Sequence, residues 1–375
     1  MRHLIPILLL VMSFFSCENE INELQQILSE APDAGPAYFD NAERYSLALG
    51  SYKDSAEIKF FISEAAPLMT MDETRGLIQD AVIMWGTAID KPFREVGKLE
   101  EANIYFSFEF LDGKGGSFGF AEPPPYFQVK NWNRKITLDK YDINPESEFD
   151  AVTIIGHEVG HGIGMRHSHD KTALMNDAYV GKKGMSLDDH FGARILYDQK
   201  KKFSYRGTTY IPIENLQDSI HPNFLMSEFF SHCTDFSDDF HFLDERIPNA
   251  IQIIRDFYNQ PIKDLSSYRD YDCNLAAGGA VYSQHKQSQA YDWYFVGKGA
   301  RSKYHQFVND VKNKGEIFDK LLAAGVGGFG AYNNAFHIDT RQSGAHSYNG
   351  HRYAIWGKFT DNNYTLDVEH PFGIN

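Results

Sequence analysis

Cysteine is scarce in this 375-residue chain: three occur, at positions 17, 233 and 273, too few for a dense disulfide scaffold. A positive charge balance is also lacking. Against 51 acidic side chains stand 36 basic ones, a net charge of −15, so a bare nucleic-acid binder, which needs a positive face for phosphates, is excluded. Long apolar runs are missing too. The stretch from Leu4 to Phe15 is too short to cross a bilayer of ~30 Å at ~1.5 Å per residue. What is present is 42% hydrophobic residues, enough for real cores, and a length that at roughly 100–200 residues per domain predicts about two domains.

The Leu4–Phe15 run follows Arg2 and His3 and reads as the core of an export signal. It ends in Phe14-Phe15-Ser16-Cys17, which resembles a bacterial lipoprotein signal, although the two phenylalanines depart from the commoner Leu-Ala/Ser pattern. Residues 1–17 are therefore expected to be a lipoprotein-type signal peptide with Cys17 as the lipidation site. The chain is expected to be exported, either as a lipoprotein held to the membrane by its lipid alone, in the periplasm or on the cell surface, or as a plainly secreted protein. Cys233 and Cys273 then form an even pair in an oxidising compartment, for which one disulfide is expected, two buried thiols being the alternative. Residues 18–54 are mostly polar, with brief helical spacing at Ile21, Leu24, Ile27 and Leu28 before Pro32 and Gly35-Pro36. They read as a tether or a short pro-segment.

From residue 55 the pattern is that of packed α/β structure. Ile58, Phe60 and Ile62 alternate as in a strand; Leu77, Ala81, Met84 and Trp85 follow at helical spacing; Ile104, Phe106, Phe108 and Phe110 share one face of a second strand. A short strand near Ile136-Thr137-Leu138 precedes a helix that Ser147 or Asp150 can cap. Residues 201–222, entered through Lys200-Lys201-Lys202, read as a linker. Beyond it, helices are predicted over Ile247–Tyr258 and Glu316–Ala324, the latter stopped by Gly325, and a strand over Pro261–Leu265.

Residues 157–167 read His157-Glu158-Val159-Gly160-His161-Gly162-Ile163-Gly164-Met165-Arg166-His167, the pattern H-E-x-x-H-x-x-G-x-x-H. On a helix, His157 and His161 project from one face and can share a metal, with Glu158 beside them to hold a water. Gly164 lets the chain leave the helix so that His167 returns as a third ligand. Three imidazoles leave one tetrahedral position open, the mark of a catalytic zinc site. At this composition H-E-x-x-H arises by accident in about one chain in thirty, the full pattern in about one in ten thousand.

These residues resemble the metzincin clan of zinc endopeptidases and, within it, the matrixins. Leu174-Met175 sits where that family's Met-turn lies, Tyr179 matches the tyrosine lining the pocket beyond the scissile bond, and Ser186-Leu187-Asp188-Asp189 with Ile195-Leu196-Tyr197 resembles the terminal helix. Gly115-Gly116-Ser117-Phe118-Gly119-Phe120-Ala121 is similar to the loop preceding the site. The resemblance implies zinc-assisted hydrolysis of a protein or peptide substrate with Glu158 as general base. Phe120 stands where a histidine for a second, structural zinc would be expected, and Asp177 replaces the usual proline after the Met-turn.

A second constellation joins Ser283-x-His285, Asp292 seven residues after that histidine, and His337-x-Asp339. Two imidazoles and a carboxylate suit zinc; by spacing alone, satisfied surface or core histidines explain them as well. With Ser267-Tyr268-Arg269 and Asn274 upstream and Gly327-Gly328-Phe329-Gly330 before the last histidine, the order resembles the zinc D-Ala-D-Ala carboxypeptidase and L-alanyl-D-glutamate peptidase family, which acts on peptidoglycan. That resemblance implies a second zinc on His285, Asp292 and His337, substrate contacts from Ser283, and Arg269 as the group that stabilises substrate or oxyanion. Many members carry an acidic residue where this chain has Asn334, so Asp339 is the substitute base, or else a partner that orients His337.

The expected fold class is α/β (α+β): a matrixin-like domain over 55–200 with a twisted sheet and zinc helix, then a small α+β domain over 223–360 with an antiparallel sheet, and a tail over 361–375. The expected function is an exported zinc metallopeptidase coupled to a peptidase-like domain directed at peptidoglycan peptides. The alternative is a single protease whose C-terminal domain binds cell wall without turnover.

Overall fold

The computed structural model describes residues 52–359, apart from 123–132, 169, 180, 182–183, 234–239 and 281. The signal with Cys17, most of the 18–54 segment and the 361–375 tail lie outside the described residues. Among the described residues no helix is long and apolar enough to cross a membrane.

The first half contains β1 (Ile58–Ile62), α1 (Met71–Ile89), β2 (Phe93–Glu95), β3 (Ile104–Glu109), β4 (Gly119–Ala121), β5 (Arg134–Asp139), α2 (Ala151–Gly162) and α3 (Leu187–Leu196). Its sheet runs β2-β1-β3-β5-β4, parallel except for β4. The period-2 apolar residues of β1 and β3 point into the core because successive side chains of a strand face opposite ways. Phe110 falls beyond β3 and is exposed against Tyr141, so the face predicted to include it ends at Phe108. A capping box of Thr70 and Glu73 starts α1, satisfying backbone donors left open by the first turn. The Trp85 indole then donates to the Gly156 carbonyl at 2.7 Å, locking α1 on α2. Of the two candidate caps for α2, Asp150 takes the role, accepting the Thr153 N–H at 2.8 Å.

The second half contains β6 (Phe203–Tyr205), β7 (Thr208–Ile213), β8 (Ser219–His221), β9 (Phe224–Leu225), β10 (His241–Asp244), α4 (Arg246–Tyr258), β11 (Ile262–Ser266), α5 (Tyr271–Ala276), β12 (Ala290–Phe295), α6 (Ala300–Lys312), α7 (Glu316–Ala323), β13 (Gly328–Ala331), β14 (Phe336–Asp339), β15 (His346–Tyr348) and β16 (His351–Gly357). The segment 201–222 is not a linker. It folds as β6, β7 and β8, with β6 and β7 joined at Arg206-Gly207, both at positive φ, the geometry of a two-residue hairpin whose turn is usually signalled by Asn-Gly. With β10 these strands make a small antiparallel sheet ordered β10-β7-β6.

That sheet is the joint between the halves. Leu187 and Phe191 of α3 are buried against Phe203, Tyr210, Phe240 and Phe242 in one aromatic cluster. The larger sheet runs β11-β12-β14-β13-β16-β15. It is antiparallel as expected except for one parallel pair, β13 with β16. Cys233 and Cys273, 40 residues apart, are joined by a disulfide.

Candidate metal centres

Among the described residues two groups of three side chains can each hold a metal ion: His157, His161 and His167, and His285, Asp292 and His337. In the first, α2 carries His157 and His161 one turn apart, and Gly164 at φ +107 turns the chain so that His167 comes back. The Nδ1–H of His157 donates to the Leu174 carbonyl at 2.8 Å and that of His161 to the Met165 carbonyl at 2.9 Å. Both rings therefore offer Nε2 lone pairs inward. The Nε2 atom of His161 lies 3.1 Å from that of His157 and 3.1 Å from that of His167. Zinc–nitrogen bonds of ~2.0–2.1 Å put tetrahedral ligands about 3.3–3.4 Å apart, so the spacing fits zinc, whereas converging lone pairs without a cation repel. Burial, then the neighbouring His157 and His167, hold the His161 pKa well below the usual range, keeping a neutral ligand.

Burial pushes the Glu158 carboxyl up to about 8, opposed by a hydrogen bond from the Ala121 backbone. Its Oε2 is buried without a hydrogen-bond partner, and Glu158 lines a cleft of about 440 Å³ together with the three histidines and Tyr179. An orphaned carboxylate oxygen in a cleft beside three converging imidazoles suits proton transfer. The Tyr179 hydroxyl accepts the Asp150 N–H at 2.8 Å, and its ring packs on Phe118 and Phe149. Met175 is buried beneath α2 so tightly that a Cβ on Gly160 would lie 2.2 Å from its Sδ.

Two supporting residues have no role assigned by the motifs. Asp189 accepts the Leu174, Met175 and Ser186 N–H groups at 2.7, 3.0 and 2.7 Å, fixing the turn through Met175. Arg134 donates to the carbonyls of His161 and Gly162 at the end of α2, where cations complement the helix dipole. Asp189 sits in the first turn of α3 and Arg134 on β5, so each reaches the site only through the tertiary fold.

In the second centre the strand register does the assembly: Asp292 on β12 pairs directly with His337 on β14, so both side chains emerge on one face. His337 Nδ1 is 2.7 Å from Asp292 Oδ1, and His285 Nε2 is 3.3 Å from Asp292 Oδ2. The other nitrogen of His285 donates to the Ser267 carbonyl at 2.6 Å. One carboxylate and two oriented imidazoles fit zinc with an open position. Burial alone would raise Asp292, but His285 and His337 draw its pKa well below the usual carboxylate range.

Arg269 Nη2 donates to Asp292 Oδ2 at 2.9 Å, so it braces a ligand. Ser283 accepts the His285 N–H at 3.3 Å and caps the turn that carries it. Asp339, expected either as a substitute base or as a partner that orients His337, is fully buried; its Oδ2 meets His337 Nε2 at 3.0 Å, and Arg341 clamps it. A carboxylate enclosed in this way orients His337 and has no face for a substrate water. Gly328 is required for it, since a Cβ there would lie 2.3 Å from the carboxylate. The Tyr332 hydroxyl, accepting from the Trp356 indole at 3.3 Å beside His337, is a polar neighbour that the sequence did not single out. Asn334 is exposed.

Residues 51–198 match the matrixin family model and residues 222–339 that of peptidase M15; both families are zinc-dependent. The chain is 29% identical to karilysin of Tannerella forsythia over 178 residues, covering 44% of this chain and 36% of that protein. It is 29% identical to human matrix metalloproteinase-20 over 158 residues, 39% of this chain and 32% of the relative. With metalloendoproteinase 1 of Glycine max it shares 29% over 149 residues, 35% and 48% of the two chains. The matched region thus spans about a third to a half of the length of these relatives.

Proposed function

From the premise of a matrixin domain joined to a peptidase M15 domain, we propose that the protein is an exported zinc metallopeptidase that cleaves peptide bonds at the first centre and engages peptidoglycan peptides at the second. The observation that carries the first part is the convergence of three Nε2 atoms beside the orphaned Glu158 oxygen. His157, His161 and His167 would hold a zinc ion there, which when bound would supply Lewis acidity towards a peptide carbonyl and lower the pKa of water from ~16 towards ~7. Glu158 takes the proton of the attacking water and returns it to the leaving amine. The cleft wall of Phe118 and Tyr179 holds the chain beyond the scissile bond, and the carbonyls of Leu174 and Met165 keep His157 and His161 in the ligating tautomer.

At the second centre His285, Asp292 and His337 would hold the metal. Arg269 braces Asp292, and Ser283 shapes the turn that presents His285. Support for export comes from the Arg2–Phe15 signal pattern with Cys17 as anchor, and from the Cys233–Cys273 disulfide, a bond at home in oxidising compartments. A second reading, in which the C-terminal half binds wall peptides without hydrolysing them, is favoured by the exposed Asn334 and the enclosed Asp339.

The test uses the full chain as wild type, Glu158→Gln and His285→Ala. Two zincs per wild-type chain, one lost in His285→Ala, and a fall of ~10²–10⁴ in protein hydrolysis by Glu158→Gln with zinc retained are expected. Undiminished hydrolysis by Glu158→Gln sinks the assignment of the base. Release of D-amino acids from muropeptides by Glu158→Gln separates turnover at the second centre from mere binding.

A further inference from the structure

The loop that carries the third histidine of the first centre is tied to the other half of the chain. After His167, Ser168 donates its N–H to the Met175 carbonyl at 2.8 Å and its hydroxyl to Asp188 Oδ2 at 2.6 Å. The Asp170 N–H donates to the Ser168 hydroxyl at 3.0 Å. The two oxygens of Asp170 are then divided. Its Oδ1 accepts the backbone and hydroxyl of Thr172, each at 2.8 Å, while its Oδ2 lies 3.3 Å from Nζ of Lys286. Lys286 belongs to the second domain and immediately follows His285, itself anchored to the Ser267 carbonyl.

This contact is not a solvated surface pair. The Lys286 side chain is 9% exposed and that of Asp170 17%, and a lysine so enclosed is stable only with partners for its charge. Beside it lies the buried Asp188 carboxylate, within electrostatic reach of both Asp170 and Lys286, and the joint between the halves is completed by the apolar cluster of α3 and the β6-β7-β10 sheet. Lys286 therefore reaches a carboxylate three residues from His167, from a turn one residue from His285.

We propose that Lys286 is a positioning residue for the first metal centre: the peptidase M15 half, through the Lys286–Asp170 pair, holds the His167 loop of the matrixin half in its ligating position. The inference rests on the reading of the first centre as a zinc site. It means that the two halves form one working unit, in which loss of the second domain's turn loosens the third imidazole of the first. Groups that hold a metal's ligands without touching the ion typically change affinity ~10–100-fold when lost, and a support one residue further removed, as here, is expected at the lower end of that range.

The experiment follows zinc release from the full chain into excess chelator, the phase belonging to the second centre being identified by its absence in His285→Ala. Lys286→Met and Asp170→Asn are each expected to speed release from the first centre about tenfold. The double variant should be no faster than either single one, and Lys286→Arg should restore most of the retention. A merely structural loss would lower the melting temperature and speed both phases alike, and would not show this non-additivity. Wild-type release from the first centre in both single variants, or effects that multiply in the double, overturns the proposal. Asp170→Asn, which is isosteric and leaves the Lys286 turn intact, serves if Lys286→Met does not fold. A wild-type chain with no zinc on His157, His161 and His167 refutes the metallopeptidase reading itself, whereas a normal wild-type site with insensitive variants refutes only the positioning role.

Discussion

A methyl group added at Gly160 probes the packing beneath the first centre. In a helix interior, Gly→Ala gains ~1 kcal/mol of helix stability. At Gly160, however, the new Cβ would lie 2.2 Å from Met175 Sδ, 2.7 Å from Trp85 Cζ2 and 3.1 Å from Met175 Cε. The indole cannot swing aside without breaking its 2.7 Å bond to the Gly156 carbonyl, and Met175 is fully buried. Overpacking of this kind costs about 1–3 kcal/mol; with two buried neighbours and one of them locked, the upper part of that range applies. The net effect is a loss of about 2 kcal/mol, which at about 2–4 °C per kcal/mol lowers the melting temperature by about 4–8 °C. Gly76 is the internal control. It lies on the exposed side of α1, with nothing within 4 Å of its would-be Cβ, so Gly76→Ala should gain ~1 kcal/mol. Thermal melts followed by circular dichroism compare the two, with peptide hydrolysis as a second readout expected to fall only in Gly160→Ala. A Gly160→Ala protein melting at or above wild type refutes the reasoning about how Met175 seats against α2.

Two further perturbations address the second half and its joint. His241 and His190 contact the aromatic cluster between the halves, and burial holds them at about 3 and, with help from Arg194, about 4. Their unfolded value is ~6.5, so between these limits the unfolded chain binds more protons, and the stability they contribute is complete above pH ~6.5 and drains away as pH falls towards 3–4. By pH ~4.5 each should have cost about 2.5 kcal/mol, using ~1.36 kcal/mol per unit. Melts of wild type against His241→Phe across pH 8 to 4.5 check this, and an unchanged acid slope in the variant would count against it. Reduction of the Cys233–Cys273 bond, which closes a 40-residue separation, should cost up to ~4 kcal/mol by chain entropy. Melting after confirmed reduction measures that loss, and no shift in temperature would place the stabilisation elsewhere.

The first centre was legible almost whole because its parts are local. Two histidines four residues apart share a helix face by the 3.6-residue period alone, and the third needs only a glycine to turn the chain back. The strand alternation of Ile58, Phe60 and Ile62 and the helix through Trp85 are readable for the same reason. The 201–222 segment reads as a linker in sequence because its hairpin turns at Arg206-Gly207 rather than at a familiar turn pair, and because a lysine run leads into it. Asp339 posed a different difficulty: a carboxylate two residues from a ligand can serve as base or as brace, and spacing does not separate them.

Local periodicity and residue chemistry, then, determined by themselves that this chain carries a helix of the metal-binding H-E-x-x-H type and most of the elements around it, whereas the His285, Asp292 and His337 set was indicated only by a resemblance. Tertiary structure alone decided that Asp292 faces His337 across a strand register and that Lys286 reaches over to Asp170. The physical reason is range. Helical spacing is dictated by the backbone within a few residues, whereas these contacts join side chains 45 and 116 positions apart, and such pairs meet only when sheet pairing and domain packing bring them together.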